Sequence, residues 1–284
     1  MTADNLVVHG MWIGTQLSPI EWLTMRSYLA HGHRFVLWHY DVLAQDPPAG
    51  VELRDASEII PREQVFNYKH RNQWGHGKGS YAGFSDIFRY KLLHEVGGWW
   101  TDMDVTCLKT LDVQAAYAFR EHDVLPVVGN VMKAPKGSEL MRYCYERALA
   151  CVDAENTNWM LPIEILNEGI ERFGLSRYIR PNFSNVDQWD VVATYSQGQP
   201  AFHPDWHVFH WMNEEWRTRG LDKSSCLKQT ALSQLYKRYG VRKVRHLPNA
   251  QAIEAARRRR QARWARVMGW LTGRPAPPET PPGA

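Results

Sequence analysis

Long apolar runs are missing from this chain. No stretch of about 18 apolar residues occurs in its 284, so a membrane-spanning helix is not expected. The opening MTADNLVVHG has neither the basic start nor the unbroken apolar run of a secretory signal. Cysteine is scarce as well: Cys107, Cys144, Cys151 and Cys226 show neither the CxxC spacing of zinc sites nor the density of a disulfide-stapled domain. A reducing cytoplasm is the expected compartment. No internal repeat is present. The formal net charge of +4 is modest and unevenly placed, because residues 257–266 carry six arginines while the central region is nearly balanced; no nucleic-acid partner is expected.

What is present is apolar and aromatic. At 44% hydrophobic composition the chain can bury one large core, and thirteen tryptophans, most of them expected in packing, enrich it further. Residues 6–14, LVVHGMWIG, read as a buried first strand. Ser18-Pro19-Ile20-Glu21 forms a capping box with proline at the first helical position, so a helix should run to about Ala30. HRFVLWHY, residues 33–40, is rich in β-branched and aromatic residues and reads as a second strand; the loop DPPAG and a short segment at Val51 to Leu53 follow. This order suggests a nucleotide-binding α/β sheet.

Between Tyr81 and Val96, Phe84, Phe88 and Leu92 recur every four positions and mark a helix, which Gly97-Gly98 should end. Its other face carries Asp86, Arg89, Tyr90 and Leu93. WWTDMDV, residues 99–105, then reads as an extended strand whose period of two puts Trp100, Asp102 and Asp104 on one face. Further helices are expected around Glu139 to Val152, Ile163 to Phe173 and Ser224 to Tyr239. The folded domain is expected to span 1–248, followed by a basic amphipathic helical segment at 249–273 and a proline-rich disordered tail at 274–284. RRRRQARWAR, together with Val267, Met268, Trp270 and Leu271, could lay cations on anionic headgroups and aromatics in the lipid interface, making residues 256–271 a candidate membrane-surface contact.

Two carboxylates one residue apart form a compact oxygen-rich site suited to Mn²⁺ or Mg²⁺, with positions left for diphosphate oxygens. Asp-x-Asp alone is a weak signal; its context, a helix closed by two glycines that delivers both acids in a hydrophobic strand, makes a cation partner expected.

SDIFRYKLLHEVGGWWTDMDV, residues 85–105, resembles the signature of glycosyltransferases with a sugar-binding region containing the Asp-x-Asp motif, a family that includes yeast initiating mannosyltransferases and α-1,4-galactosyl- and N-acetylglucosaminyltransferases. The catalytic domains of large clostridial glucosylating toxins are a more distant likeness. The resemblance implies a GT-A-type nucleotide-sugar-binding fold, a mixed central sheet flanked by helices. It implies retention of anomeric configuration by front-side attack, since no second carboxylate can be assigned as nucleophile from the sequence. It assigns Asp86 and Arg89 to the donor sugar and its phosphates, Asp102 to the ribose and metal region, Asp104 to direct metal ligation, and Trp100 to an aromatic position beside the donor, where Tyr90 is a further candidate contact.

By the same likeness Trp12 would stack on uracil or guanine, Asn130 in GNVMKAPKGSEL would contact donor or acceptor, and FHWMNEEW, residues 209–216, would supply His210 to the metal or phosphate shell and Trp216 as a cap over the diphosphate. That segment departs from the family pattern, with Glu215 where serine is common, and Trp159-Met160-Leu161-Pro162 stands where a Thr-Gly-Pro is usual. The implied partners are a nucleotide-sugar donor and a glycan or glycolipid acceptor, as in bacterial surface polysaccharide synthesis, with peripheral association at the inner membrane face. UDP-sugars are favoured over GDP-mannose. The competing readings are a metal-dependent phosphoesterase and a nonenzymatic nucleic-acid or membrane-binding module built on the arginine-rich tail.

Overall fold

The computed structural model describes residues 3–250 and, beyond them, 254, 257, 258, 260, 261 and 264; the basic segment and the proline-rich tail otherwise lie outside the described residues. A one-turn helix α1 (Ala3–Leu6) leads into β1 (Val7–Trp12), α2 (Pro19–Ala30), β2 (Arg34–His39) and β3 (Val51–Asp55). Next come α3 (Ala82–Glu95), β4 (Gly98–Thr101), β5 (Val105–Cys107), β6 (Ala118–Glu121), β7 (Val127–Ala134), α4 (Glu139–Cys151) and α5 (Leu161–Arg172). The chain continues through β8 (Ile179–Arg180), α6 (Trp189–Gln197), β9 (Val208–His210), α7 (Asn213–Thr218), β10 (Ser225–Leu227), α8 (Ala231–Arg238) and β11 (Arg245–Leu247). Among the described residues no helix is long and apolar enough to cross a membrane.

The central sheet has the order β3-β2-β1-β4-β7-β6-β8 among the described residues. β3, β2, β1 and β4 run parallel, and β7 is antiparallel to both neighbours. This is the expected mixed sheet flanked by helices. Strand order reverses at β1: the first crossovers run outward through β2 to β3, and the next returns to β4 on the other side. In open α/β sheets such a reversal leaves a crevice beyond the strand carboxyl ends. Trp12 ends β1 and Asp102 follows β4, so both lie at that crevice.

Alternation along the strands separates two cores. On β2, Phe35 and Leu37 join Met25 and Tyr28 of α2 on one face, while Val36 and Trp38 join α3 on the other; Trp99 and Trp100 divide the same way on β4. A third cluster gathers Ile20 and Leu23 with α6, α8, Phe209 and Trp211. The capping box is present at Ser18 and Glu21.

Two expectations fail. The segment Ser224 to Tyr239 is not one helix: Ser225–Leu227 pairs with Arg245–Leu247 as β10 and β11, and the helix begins only at Ala231 behind its own capping box at Thr230. WWTDMDV is not one strand either. β4 ends at Thr101, Met103 and Asp104 form a turn, and the chain resumes as β5, which leaves the central sheet to pair with β9.

Candidate active site

α3 has no polar side-chain cap, and both of its faces are covered: Phe84, Phe88 and Leu92 are buried, and so are Asp86, Arg89, Tyr90 and Leu93. Its exit is set by backbone sterics. Gly97 (φ +75°) would place a Cβ 2.5 Å from the backbone nitrogen of Lys136, so only glycine lets α3 turn into β4 there.

The acid and arginine expected on one helix face meet. Arg89 Nη2 lies 3.2 Å from Asp86 Oδ1 and 3.1 Å from Asp102 Oδ1, so one guanidinium bridges helix and turn. Its Cζ sits 5.2 Å from the centre of the Trp100 ring, and Trp100 Nε1 donates to Asp102 Oδ1 at 2.8 Å. Gly129 on β7 makes room, because a Cβ there would lie 2.9 Å from Arg89 Nη1. Burial raises the Asp86 carboxyl to about 6 against the pull of Arg89. Burial likewise raises Asp102, with Arg89 opposing and Asp104 adding to the rise.

Asp104 is held by the chain's return. β5 pairs Val105 with His210, and the backbone N–H of Asn213 donates to Asp104 Oδ2 at 2.6 Å. His210 Nε2 lies 3.3 Å from Asp104 Oδ2, and its Nδ1 lies 2.7 Å from Asp187 Oδ1. Asp187 in turn takes Arg120 Nη1 and Nη2 at 2.7 and 2.8 Å, a bidentate pair whose side chains are only 10% and 2% exposed. Burial disfavours charge on His210, but Asp187 and Asp104 outweigh it and raise its pKa to about 10. Asp104 is also buried, yet His210, the Asn213 N–H and Lys223 hold its carboxyl below the ordinary range. Met212, between His210 and Asn213, adopts a left-handed backbone (φ 58°, ψ 62°), a conformation a side chain other than glycine takes at a cost.

Other residues reach the site from positions that no sequence pattern marks. Lys223 Nζ donates to Glu21 Oε1 at 3.0 Å and Asn213 Oδ1 at 3.1 Å, and stands 5.9 Å from the Trp12 ring. Asp187 and Arg120 are likewise unmarked in the sequence, since no local spacing links them to His210. Asn130 is buried beside the turn: its carbonyl accepts from Asp102 N at 2.8 Å, its Oδ1 accepts from Arg120 Nη1 at 3.2 Å, and its Nδ2 has no partner among the described residues. Beyond the ends of β1 and β2 opens a cavity of about 540 Å³ lined by Ile13, Gly14, Thr15, Asp41, Arg62, Val65, Asn67 and Tyr81.

The structure corrects four placements. Asp102 and Asp104 share the site through a turn rather than through strand alternation, because Asp102 N bonds Asn130 O as the sheet ladder ends. Tyr90 points to α5, its hydroxyl donating to Pro162 O at 2.8 Å, and so is not presented to a donor. Trp216 is buried against Trp189, with Nε1 donating to Trp211 O at 2.8 Å, so its ring is engaged in packing rather than offered as a cap. His210 has carboxylate partners on both ring nitrogens, and among the described residues no three His, Cys, Asp or Glu side chains converge as a cation cage.

α3, with its acid–arginine pair, thus runs through paired glycines into an Asp-x-Asp turn at the reversal point of the sheet. Residues 34–120 match the family described as "Glycosyltransferase sugar-binding region containing DXD motif", and Asp86, Arg89, Trp100, Asp102 and Asp104 all fall inside that stretch. No curated protein matches the chain. Solved structures similar to it include the PaToxG glycosyltransferase, at 12% identity and TM-score 0.44 over 83% of this chain and 84% of that one. A transferase carrying two cysteine-to-serine substitutions is similar at 9% identity and TM-score 0.41, over 72% of this chain and 94% of that one. The apo-form glycosyltransferase GlyE of Streptococcus pneumoniae is similar at 15% identity and TM-score 0.42, over 83% of this chain and 64% of that one.

Proposed function

We propose that this glycosyltransferase uses a divalent cation and a nucleotide-sugar donor, a UDP-sugar in preference to GDP-mannose, and transfers a hexose or N-acetylhexosamine with retention to a hydroxyl of a glycan or glycolipid. The observation that carries this reading is the Arg89 bridge between Asp86 and Asp102, which sets a buried cation and an acid pair at the crevice where strand order reverses.

The donor set fits a cation. Asp102 and Asp104 offer hard anionic oxygens from one turn, and Mn²⁺ or Mg²⁺ takes such oxygens while keeping positions for a substrate diphosphate. His210 is assigned beside Asp104 rather than as a third ligand, because Asp187 and Asp104 already engage both of its nitrogens. When bound, the ion would neutralise charge on the departing diphosphate. Arg89 and Lys223 would add fixed positive charge around the same phosphates, preorganised by partners already in place.

Asp86 would orient sugar hydroxyls as an acceptor, and Asn130, beside the Asp102 turn, would stand near a hydroxyl of donor or acceptor. The base would occupy the 540 Å³ cavity at the ends of β1 and β2. Trp12 lies at the same strand end but packs against the α2 side, with Lys223 over its ring, so it would border the nucleotide there. With Asp86 tied to Arg89, we assign no covalent nucleophile and favour front-side attack by an acceptor hydroxyl that the site holds close to the anomeric carbon.

The test is a panel of nucleotide sugars with Mn²⁺, read by release of nucleoside diphosphate in mass spectrometry and repeated with chelator. One donor should be turned over and chelator should stop it. Turnover of phosphoesters with indifference to every nucleotide sugar would replace the reading with a phosphoesterase.

A further inference from the structure

A second cavity, of about 190 Å³, opens on the α2 side of the molecule and shares no lining residue with the nucleotide cavity. Leu17, Pro19, Trp22 and Val241 give it an apolar floor, and Arg26, Arg242, Lys243 and Gln45 surround that floor with polar groups. Among the described residues no carboxylate lines it.

Trp22 and Arg26 are four residues apart on α2 and therefore share a face, with the guanidinium 5.6 Å from the indole ring. Arg26 Nη1 reaches Tyr239 O at a long 3.5 Å, while its Nε is wholly buried and has no hydrogen-bond partner among the described residues. The chain leaving α8 reverses at Gly240 (φ +66°), where a Cβ would stand 3.4 Å from Arg26 Nη1, and so brings Val241, Arg242 and Lys243 across the opening. Lys243 Nζ donates to Gln45 Oε1 at 2.9 Å and ties this segment to the loop after β2.

Arg26, Arg242 and Lys243 give the apolar floor a positive rim, with no acid among its described lining residues, and a rim of one sign attracts an anion. We propose that this cavity is a binding site for a small organic anion: an apolar body of about one ring lies on Trp22, Leu17 and Val241, and its carboxylate or phosphate group faces Arg26. The volume admits one ring with its acidic group and excludes a nucleotide sugar, whose size calls for a cavity of at least about 300 Å³. The site stands independently of the donor reading. It adjoins the donor site through α2, whose Glu21 accepts from Asn213 and Lys223.

Fluorine NMR with 4-(trifluoromethyl)benzoate as the probe, on the full chain, tests this. Saturable broadening of the probe signal is expected, unaffected by excess UDP, with the neutral 4-(trifluoromethyl)benzyl alcohol binding about ten-fold more weakly or worse. Arg26→Met keeps the length of the stem and should weaken the benzoate about ten-fold; the exposed pair R242M/K243M, which leaves the core untouched, should weaken it severalfold. Absence of saturable binding, displacement by UDP, equal binding of acid and alcohol, or unchanged affinity in both variants would each overturn the proposal.

Discussion

Asp104 accepts from the Asn213 N–H and faces His210, so removing its charge acts where the proposed ion and the leaving diphosphate meet. Asp104→Asn should lower transfer by about 10²-fold or more with the circular dichroism spectrum unchanged, measured as initial rates of nucleoside diphosphate release. Unchanged turnover in the purified variant would sink the assignment. Asp86 makes a different prediction. Its carboxyl is raised to about 6 by burial, above its unfolded value of 3.8, so at neutral pH its charge opposes folding. A raised carboxyl favours the folded state only at low pH and loses that contribution as pH rises through about 6. Asp86→Asn should therefore raise the urea unfolding free energy at pH 7 by about 1–3 kcal/mol while abolishing transfer. A destabilised variant would mean that the Arg89 bridge outweighs the burial penalty.

At the scale of elements, the active site is an agreement between segments far apart in the chain. Arg120 on β6, Asp187 before α6 and His210 on β9 form one buried series of charges ending at Asp104. Asp187→Asn leaves Arg120 buried with a weaker partner; broken buried pairs of this kind cost about 3–5 kcal/mol. Arg120→Met combined with Asp187→Asn removes both charges and should recover most of that stability, read from urea midpoints, without restoring activity, because His210 loses the carboxylate that fixes its ring. Equal midpoints for wild type and the Asp187→Asn variant would show that the series is not a structural unit. The α3–β4 junction is a second such agreement: Gly97→Ala sets a methyl 2.5 Å from the Lys136 nitrogen at a positive φ and should destabilise by more than about 1 kcal/mol.

For the whole molecule, acid sensitivity should come in part from the sheet interior. His9 on β1 accepts from Trp38 Nε1 at 3.2 Å, and burial lowers its pKa from 6.5 to about 4. A histidine depressed on folding contributes stability that is complete above its unfolded value and lost as pH falls through the folded one. Stability should thus decline between about pH 6.5 and 4 by up to about 3 kcal/mol from this group, with His33, also lowered by burial, adding in the same direction. His9→Gln should flatten that limb in pH-dependent urea melts. A limb of the same depth in the variant would place the acid sensitivity elsewhere.

Local rules sufficed where a feature closes on itself within a few residues. The capping box of α2, the Phe84, Phe88 and Leu92 stripe, the Asp86–Arg89 pairing at i,i+3 and the glycine exit of α3 were all legible, because helical period and backbone sterics act over one or two turns. The Asp-x-Asp pair was legible as chemistry but not as geometry: alternation would have put both acids on a strand face, whereas tertiary pairing ended β4 at Thr101 and turned the chain toward β9. The helix expected over Ser224 to Tyr239 failed for the same reason, since the partner of β10 lies twenty residues downstream in β11. Only the folded chain could bring Asp187, Arg120 and Lys223 to the carboxylates, or show that Tyr90 and Trp216 are occupied in packing. Sequence determined which residues could carry charge, turn sharply or face a core. Tertiary structure decided which charges share one dielectric environment, because burial and distance, not spacing, set whether an acid meets a cation.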